Sequence, residues 1–237
     1  MLGIRLELTG IFSFFRIPYN SLLMDTYLFP PKTTILGLVG AACGWEEKEV
    51  LESIKIFKYG VIIESFGEVF KETAAIYYKK DKPIYPITKN MIYRPAYTVF
   101  LYSEKPKLIE EIEAALKNPK FVLALGDSEN LFYPKTPDFV KVVNDIEEVP
   151  AKKLKCILPS KIYNKYCTGA NLDKIEKIKE YILPPKEIMV PVDFTGSGKK
   201  RQFISENVVY YSGIEIHLKN PIEKGVFKFD GDFVYLF

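Results

Sequence analysis

A short helix with both ends marked, between Pro30 and Gly44, constrains this sequence more than any other feature. Pro30 and Pro31 each fix φ and lack an amide donor, so the chain stays extended there and a helix can begin only after them. Gly44 can adopt the left-handed conformation that commonly ends a helix. We therefore predict a short helix between these marks, capped by a side-chain oxygen of Thr33 or Thr34.

The predicted helix has an apolar surface and two interior glycines. Its apolar residues are Ile35, Leu36, Leu38, Val39, Ala41 and Ala42. Gly37 and Gly40 lower the intrinsic helix propensity, and a close approach of the helix to a sheet would explain both.

The start of this helix is a candidate anion site. The first backbone amides of a helix have no partner within it, and here the hydroxyls of Thr33 and Thr34 and the ammonium of Lys32 lie beside them. This combination suits a phosphate group. The alternative is an ordinary capped helix beside a solvated lysine, which needs no ligand.

Size and composition indicate a globular protein. The chain has 237 residues, of which 48% are hydrophobic and 27% charged, so it can hold one large domain or two small ones with a sizeable core. It contains no apolar run of membrane-spanning length and no signal-peptide pattern at its start. We expect a cytoplasmic protein without a membrane partner.

The charge balance permits a nucleic-acid partner without demanding one. The net charge is +3 at pH 7, and clustering of charge matters more than its total. Lysine greatly outnumbers arginine, which resembles hyperthermophile usage but could equally follow from genome composition.

Cysteine and histidine usage excludes several kinds of site. The three cysteines lie far apart and lack the spacing of a zinc site or a disulfide framework. His217 is the single histidine, which excludes histidine-rich metal sites and two-histidine acid–base mechanisms. We expect no metal and no cofactor.

The apolar periodicity predicts the order β-α-β-β-α-β in the first part of the chain. The predicted strands cover residues 2–9, 54–66, 94–102 and 121–125. An amphipathic pattern over residues 103–118 predicts the second helix. We therefore predict an α+β fold whose amino-terminal domain, residues 1–148, is ferredoxin-like (RRM-like).

Residues 71–91, between the second and third predicted strands, interrupt this periodicity. They interleave tyrosines with lysines, which is typical of surfaces that bind single-stranded RNA, although a solvated loop would have the same composition. We predict a projecting arm and include its Lys79, Lys80 and Lys82 among the RNA-binding candidates.

Three further candidates lie near aromatic residues. Arg16 is set among the aromatic side chains of residues 11–19 and could hold a nucleotide by stacking and a phosphate contact; dense core packing is the alternative. Tyr27 and Arg94 complete the RNA-binding candidates of the first part of the chain.

Residues 149–237 are predicted to form a smaller, mainly antiparallel β domain. Its loop at residues 196–202 combines glycines with Lys199, Lys200 and Arg201, so exposed amides and positive charge could bind a phosphate. The loop is not a P-loop, because it lacks that glycine spacing and no hydroxyl follows the lysine. A basic hairpin turn without a ligand is the alternative.

Three stretches of the sequence carry a family resemblance. They are Phe-Phe-Arg at 14–16, Phe-Pro-Pro-Lys-Thr-Thr-Ile-Leu-Gly-Leu-Val-Gly at 29–40 and Asn-Pro-Lys-Phe-Val-Leu-Ala-Leu-Gly-Asp-Ser-Glu at 118–129. Together they resemble the CRISPR-associated Cas five family, a branch of the repeat-associated mysterious proteins (RAMP superfamily) found in type I Cascade complexes. The resemblance implies a ferredoxin-like domain with a β-hairpin thumb between the second and third strands, plus a smaller carboxy-terminal part.

The resemblance also implies a function. Such a subunit grips the 5′ handle of the guide RNA (crRNA), caps one end of the backbone-subunit filament and contacts the large subunit in antiviral defence; target DNA is reached indirectly through the complex. Arg16, Lys32, Thr33 and Thr34 lie inside the matching motifs. The basic residues of the 196–202 loop do not, and they depend on charge and glycine alone.

Some family members also cut precursor crRNA with a tyrosine, lysine and histidine set. This chain has no adjacent Lys-His pair, and His217 lies in an apolar strand pattern where a structural role is expected. We predict a non-catalytic RNA-binding scaffold. The alternatives are a metal-independent endoribonuclease that uses another tyrosine and lysine, and a domain that binds only protein.

Overall fold

The computed structural model describes residues 1–19, 23–77, 84–170, 182–196, 198 and 201–237. It has the expected mixed α+β architecture, with many strands and few helices. The helices are α1 (Lys32–Cys43), α2 (Glu47–Ile56), α3 (Pro106–Lys117) and α4 (Ser160–Tyr166). In the described part of the chain, no helix has the length and apolar character needed to span a membrane.

The strands fall into two groups along the chain. Up to residue 143 they are β1 (Gly3–Thr9), β2 (Phe12–Ser13), β3 (Phe15–Arg16), β4 (Thr26–Tyr27), β5 (Lys58–Ser65), β6 (Glu68–Tyr77), β7 (Ile84–Tyr93), β8 (Ala96–Tyr102) and β9 (Val140–Val143). After it they are β10 (Glu147–Glu148), β11 (Ala151–Leu154), β12 (Leu158–Pro159), β13 (Cys167–Ala170), β14 (Leu183–Thr195), β15 (Gln202–Ser212), β16 (Ile216–Ile222), β17 (Val226–Phe229) and β18 (Asp232–Tyr235).

One large sheet organises the molecule. Its strand order is β12-β15-β5-β8-β1-β9, and β14 pairs with β15. Strand β1 pairs antiparallel with β8 on one side and β9 on the other, and β5 pairs antiparallel with β8. Along the chain, helices α1 and α2 lie between β1 and β5, and α3 lies between β8 and β9. The first part of the chain therefore contributes four neighbouring strands in the order β9-β1-β8-β5.

The predicted fourth strand, at residues 121–125, is wrong. The position beside β1 is taken by β9, and residues 121–125 form a loop in which Phe121 and Val122 are 58% and 77% exposed. Leu123 and Leu125 are buried, while the Phe121 amide donates to a carbonyl at the end of α1. The apolar run thus anchors a loop to the core instead of entering the sheet.

Helix α1 ends as predicted but is capped differently. It begins at Lys32 directly after Pro31, which occupies the N-cap position, and no side chain caps it. The prediction that Thr33 or Thr34 is the cap is therefore wrong; the Thr34 amide donates instead to the Pro31 carbonyl at 3.0 Å. Gly44 ends the helix in the left-handed region, with φ 72°.

The two interior glycines of α1 have different surroundings. A Cβ at Gly40 would lie 2.5 Å from Cγ2 of Val50, so the close approach is to α2 and not to a sheet as predicted. A Cβ at Gly37, which is exposed, would meet nothing within 4 Å. Packing within this chain does not explain Gly37.

The main sheet is covered on both faces. Side chains that alternate along the strands, such as Leu6, Val61 and Val99, form one apolar cluster with α1 and α3. On the other face, Ile62 and Phe100 form a second cluster with residues of the sheets β10-β17-β18 and β11-β16-β13. RNA-recognition domains stack bases on an open sheet face, but here that face is buried.

The predicted boundary between residues 148 and 149 falls between β10 and β11. Strands β12, β14 and β15 of the second part continue the main sheet, and β10 pairs with β17. The division into domains 1–148 and 149–237 stays a prediction.

A long hairpin projects between β5 and β8. Strands β6 and β7 are ten residues each and pair antiparallel from Glu68↔Tyr93 to Tyr77↔Ile84. The base of the hairpin is tied to the start of the chain, because β2 pairs with β7. Lys79, Lys80 and Lys82 lie outside the described residues.

Candidate nucleic-acid interface

Candidate residues from three distant parts of the sequence meet at the start of α1. Arg16 from β3, Thr33 and Thr34 from the first turn of α1, and Arg201, which precedes β15, line one pocket of about 260 Å³. We call it the α1 pocket. Its other walls are Pro18, Tyr27, Pro31, Pro191, Phe194 and Phe203.

The short pair β3–β4 places Arg16 at the pocket. Phe15 pairs with Tyr27 and Arg16 with Thr26, and the Phe15 amide donates to the Thr26 hydroxyl at 2.9 Å. Phe14 and Phe15 are buried whereas Arg16 is exposed. Of this aromatic-rich segment, two rings therefore enter the core and the guanidinium stays at the surface.

The first turn of α1 supplies hydrogen-bond donors. Within the described residues, the amides of Lys32 and Thr33 donate to no acceptor, while the Thr34 amide is occupied by the Pro31 carbonyl. The helix dipole adds partial positive charge at this end. Thr33 and Thr34 are partly exposed and line the same pocket as Arg16 and Arg201. This arrangement suits an anion such as a phosphate.

The hairpin β14–β15 forms the opposite wall. The Arg201 Cζ atom lies 4.8 Å from the centroid of the Phe194 ring, and the rings of Phe194 and Phe203 are 5.0 Å apart. An Nη1–Oε1 distance of 3.2 Å pairs Arg201 with Glu47. A guanidinium held over a ring in this way keeps donors for a phosphate, and an adjacent aromatic face can stack a base.

Lys32 lies beside the α1 pocket and not in its lining. Burial lowers the pKa of Lys32, and the attraction of Asp193 and Glu206 offsets this only in part. Those carboxylates belong to β14 and β15. The cations that line the pocket are Arg16 and Arg201.

Tyr27 lines the pocket but is almost completely buried. It is 1% exposed, its hydroxyl donates to the Met189 carbonyl at 3.1 Å, and burial raises the pKa of that hydroxyl. A ring this buried cannot stack on a base, which contradicts the expected direct RNA contact. Its contribution is to support the pocket wall.

A second cleft, of about 470 Å³, continues from the α1 pocket. It shares Arg16 and Thr34 with the pocket and extends to Met24 and Asp127. Gly126, beside Asp127, has φ 97°, and a Cβ there would lie 2.0 Å from the Phe14 carbonyl oxygen. Only glycine fits this loop so closely against the chain that carries Arg16.

Lys89 is a buried cation next to this cleft that sequence reasoning did not separate from the other lysines of the arm. It is 5% exposed, and its Nζ atom lies 2.8 Å from Asp127 Oδ2 and 3.3 Å from Glu129 Oε2. Burial would lower the pKa of Lys89, but its hydrogen bonds and charge interactions with both carboxylates raise it overall. The ion pairs tie β7 to the loop that carries the third family motif.

The remaining candidates do not join the α1 pocket. Arg94 lines a different pocket with Thr9 and Tyr133, and Lys199 and Lys200 lie outside the described residues. His217, on β16, interacts with Glu215 at 3.1 Å. Among the residues that the structure describes, no group of three or more His, Cys, Asp or Glu side chains could hold a metal ion.

Sequence reasoning also missed the aromatic wall of the pocket. Phe194 and Phe203 are paired residues of the β14–β15 hairpin, on either side of the basic loop. Their positions flanking the loop were the available signal, because residues that flank a hairpin turn lie opposite each other.

The chain is similar to known CRISPR proteins. A family model described as CRISPR-associated protein (Cas_Cas5) matches residues 3–166. Among solved structures, the "CRISPR RNA-guided surveillance complex" contains a chain with 14% sequence identity and a TM-score of 0.56, covering 92% of this chain and 91% of that one. A CRISPR protein from Archaeoglobus fulgidus has 16% identity and a TM-score of 0.56, covering 99% of this chain and 98% of that one. No curated protein matched.

At these identities the solved structures show similarity of fold alone. The family match includes Arg16, α1 and the loop at residues 125–129, but it ends before the β14–β15 hairpin. One wall of the α1 pocket therefore lies inside the matched region and the other outside it.

Proposed function

This chain belongs to the CRISPR-associated Cas5 family, and from that premise we propose that it is a non-catalytic RNA-binding subunit of a type I CRISPR interference (Cascade) complex. In this role it holds the 5′ handle of the crRNA, caps the filament of backbone subunits and contacts the large subunit. Target DNA is contacted only indirectly, through the complex.

The observation that carries the proposal is the convergence at the α1 pocket. Arg16, Arg201 and the first turn of α1 come from separate parts of the chain and line one small space with two arginines and two threonines. Phe203 adds an aromatic face to the same lining. Phosphate donors beside an aromatic ring are what single-stranded nucleic acid requires.

The arrangement of the fold supports the same role. The strand order β9-β1-β8-β5, connected through α1 and α3, is the order expected of the proposed ferredoxin-like domain, and the β6–β7 hairpin lies between the strands where a thumb is expected. Because the sheet face opposite the helices is buried, the RNA strand is held at the start of α1 and not across the sheet.

The chemistry of the pocket supports a binding role over cleavage. General acid–base cleavage of RNA needs a titratable group within hydrogen-bond reach of the ribose. The lining offers Arg16, Arg201 and the Tyr27 hydroxyl, and burial raises the pKa of Tyr27, which makes it a poor base near neutral pH. The two arginines bind phosphate better than they move protons.

The test is RNA affinity as a function of salt. Wild type and an Arg16→Ala/Arg201→Ala variant are titrated with a labelled single-stranded RNA that carries the repeat-derived 5′ handle. We expect the variant to bind more weakly and its log–log salt slope to fall by about 1.4, since each phosphate contact on a single strand contributes about 0.7. Lys48→Ala removes a solvent-exposed lysine of α2 and should leave both values unchanged.

Two results would overturn the proposal. Weak binding with little salt dependence would favour a subunit that contacts only protein. A discrete product ending in a cyclic phosphate, formed from labelled repeat RNA in EDTA, would show a metal-independent endoribonuclease.

A further inference from the structure

We propose that a second surface, at the base of the β6–β7 hairpin, binds single-stranded nucleic acid by stacking, and that it holds another part of the same RNA strand as the α1 pocket. The inference rests on the proposed function. We call this surface the arm-base platform; it consists of Phe12, Phe70, Tyr93, Arg94, Tyr133 and Lys135.

Four of these residues form a continuous row. The Phe12 ring lies 5.5 Å from the Phe70 ring and 5.4 Å from the Tyr93 ring, centroid to centroid. The Arg94 Cζ atom lies 5.1 Å from the Tyr93 centroid and continues the row. Aromatic faces followed by a guanidinium are the components on which unpaired bases stack.

Arg94 also lines a pocket of about 340 Å³ together with Tyr133. The Tyr133 side chain is 71% exposed, although its backbone is held by two hydrogen bonds to Thr9, at 3.0 Å and 2.7 Å. A tyrosine has only two side-chain torsions, so fixing its ring against a base costs little conformational entropy. Lys135 lines the same pocket, and none of the described residues in the lining carries a carboxylate.

The backbone of Arg94 points to a use for its side chain. Its φ is +49°, a conformation that glycine adopts without strain and that is uncommon for other residues. The Arg94 amide is fixed there by a 2.7 Å hydrogen bond to the Ile11 carbonyl. Residues held in sparsely populated backbone conformations are concentrated at functional sites.

The chain itself links the platform to the α1 side. Residues 9–11 line the platform pocket, whereas Phe14, Phe15 and Arg16 line the cleft that continues from the α1 pocket. The Cα atoms of residues 11 and 16 are at most about 18 Å apart, because an extended chain advances no more than about 3.6 Å per residue. An RNA strand a few nucleotides long can therefore reach both surfaces.

The experiment compares two platform variants with a matched control, using the full chain and the same handle-bearing single-stranded RNA. Tyr133→Ala should weaken binding at least about five-fold, the ratio that corresponds to the lower end of base-stacking contributions, and leave the salt slope unchanged. Arg94→Gly should weaken binding and also lower the salt slope by about 0.7. Because glycine suits φ +49°, the thermal midpoint of Arg94→Gly should not fall, so its loss of affinity is not a loss of fold.

Phe121→Ala is the control, because Phe121 is also an exposed ring near a lysine, with Lys120 Nζ 5.8 Å from its centroid, but lies outside both surfaces. It should bind RNA like wild type. Unchanged RNA affinity in Tyr133→Ala overturns the inference; if that variant instead fails to assemble with the other subunits of its complex, the surface binds protein. If Tyr133→Ala binds RNA weakly while Arg16→Ala/Arg201→Ala binds it normally, the arm-base platform binds RNA and the α1 pocket does not. That result would overturn the proposed role of the α1 pocket and leave the role of the platform standing.

Discussion

Two regions of this protein each contain a lysine with restricted access to solvent, and the pKa values of the two lysines are shifted in opposite directions. At the start of α1, burial lowers the pKa of Lys32 because the carboxylates that attract it do not compensate fully. At the base of the hairpin, Asp127 and Glu129 more than compensate the burial of Lys89 and raise its pKa. Nearby carboxylates thus compensate the charge of Lys32 only in part, whereas they pair that of Lys89 fully.

The difference shows which cations remain for a ligand. The ammonium of Lys89 joins the hairpin to the loop at residues 125–129 through two ion pairs, so its charge already maintains the structure. No ion pair of Lys32 occurs among the described residues, and its neighbours in the first turn of α1 line the α1 pocket. A phosphate bound there would supply the missing compensation.

The largest effect on stability is expected from Asp127→Asn. It removes the carboxylate 2.8 Å from the Lys89 ammonium and leaves a buried cation with one exposed, more distant partner. We expect the free energy of unfolding to fall by about 2 kcal/mol, below the value for a fully buried pair because Asp127 is one-third exposed. Denaturant titration measures this, and Glu52→Gln, which breaks the exposed pair with Lys48, should change it by less than about 0.5 kcal/mol. Equal losses in the two variants would mean that Asp127 contributes no more to stability than the exposed Glu52 does.

Lys32→Met should have a smaller effect with the opposite sign. Removing an undercompensated charge relieves its desolvation, so we expect unfolding free energy to stay constant or rise by up to about 1 kcal/mol. RNA affinity should fall modestly, since positive charge beside the pocket is lost. The same samples serve for denaturant and RNA titrations. A clear loss of stability would mean that Lys32 is paired as Lys89 is.

The smallest expected effect is on how the free energy of unfolding changes with pH in the alkaline range. Lys32 has a folded pKa below its unfolded value of 10.5, so the unfolded state binds more protons in the window between the two, and stability gains there as pH rises. Lys89 has a folded pKa above 10.5, so its stabilising contribution is complete below 10.5 and is lost as pH rises through the folded pKa.

Unfolding measured at a series of pH values up to 10.5 separates the two lysines. Lys32→Met should remove a small upward slope just below 10.5, whereas Lys89→Met should lower stability almost uniformly over that range. A steeper upward slope in Lys32→Met than in wild type would contradict the direction inferred for Lys32.

Local rules predicted much of the fold. Pro30, Pro31 and Gly44 determined the limits of α1 because φ restrictions act on single residues. The fourth strand could not be found this way: the apolar run at residues 121–125 and the shorter β9 both suit a strand, and the choice depends on which one pairs with β1 across the sheet.

The candidate site also combines features that the sequence predicts with features that depend on tertiary structure. Arg16, Thr33, Thr34 and Arg201 were recognisable from residue type and local pattern, but their meeting in one pocket is a product of tertiary structure. The burial of Tyr27 has a similar origin, because Phe29 and the β14–β15 hairpin enclose it. Lys89 resembled its neighbours in the arm because nothing in the sequence links it to Asp127, 38 positions away.

The covering of the main sheet on both faces has a practical consequence for any dissection of this protein. Ile62, Phe100 and Tyr102 are buried against strands that come from the last third of the chain. A shortened chain that ended near residue 148 would present these side chains to water, and we expect it to aggregate. Single substitutions, rather than fragments, are the means of assigning tasks to the parts of this molecule.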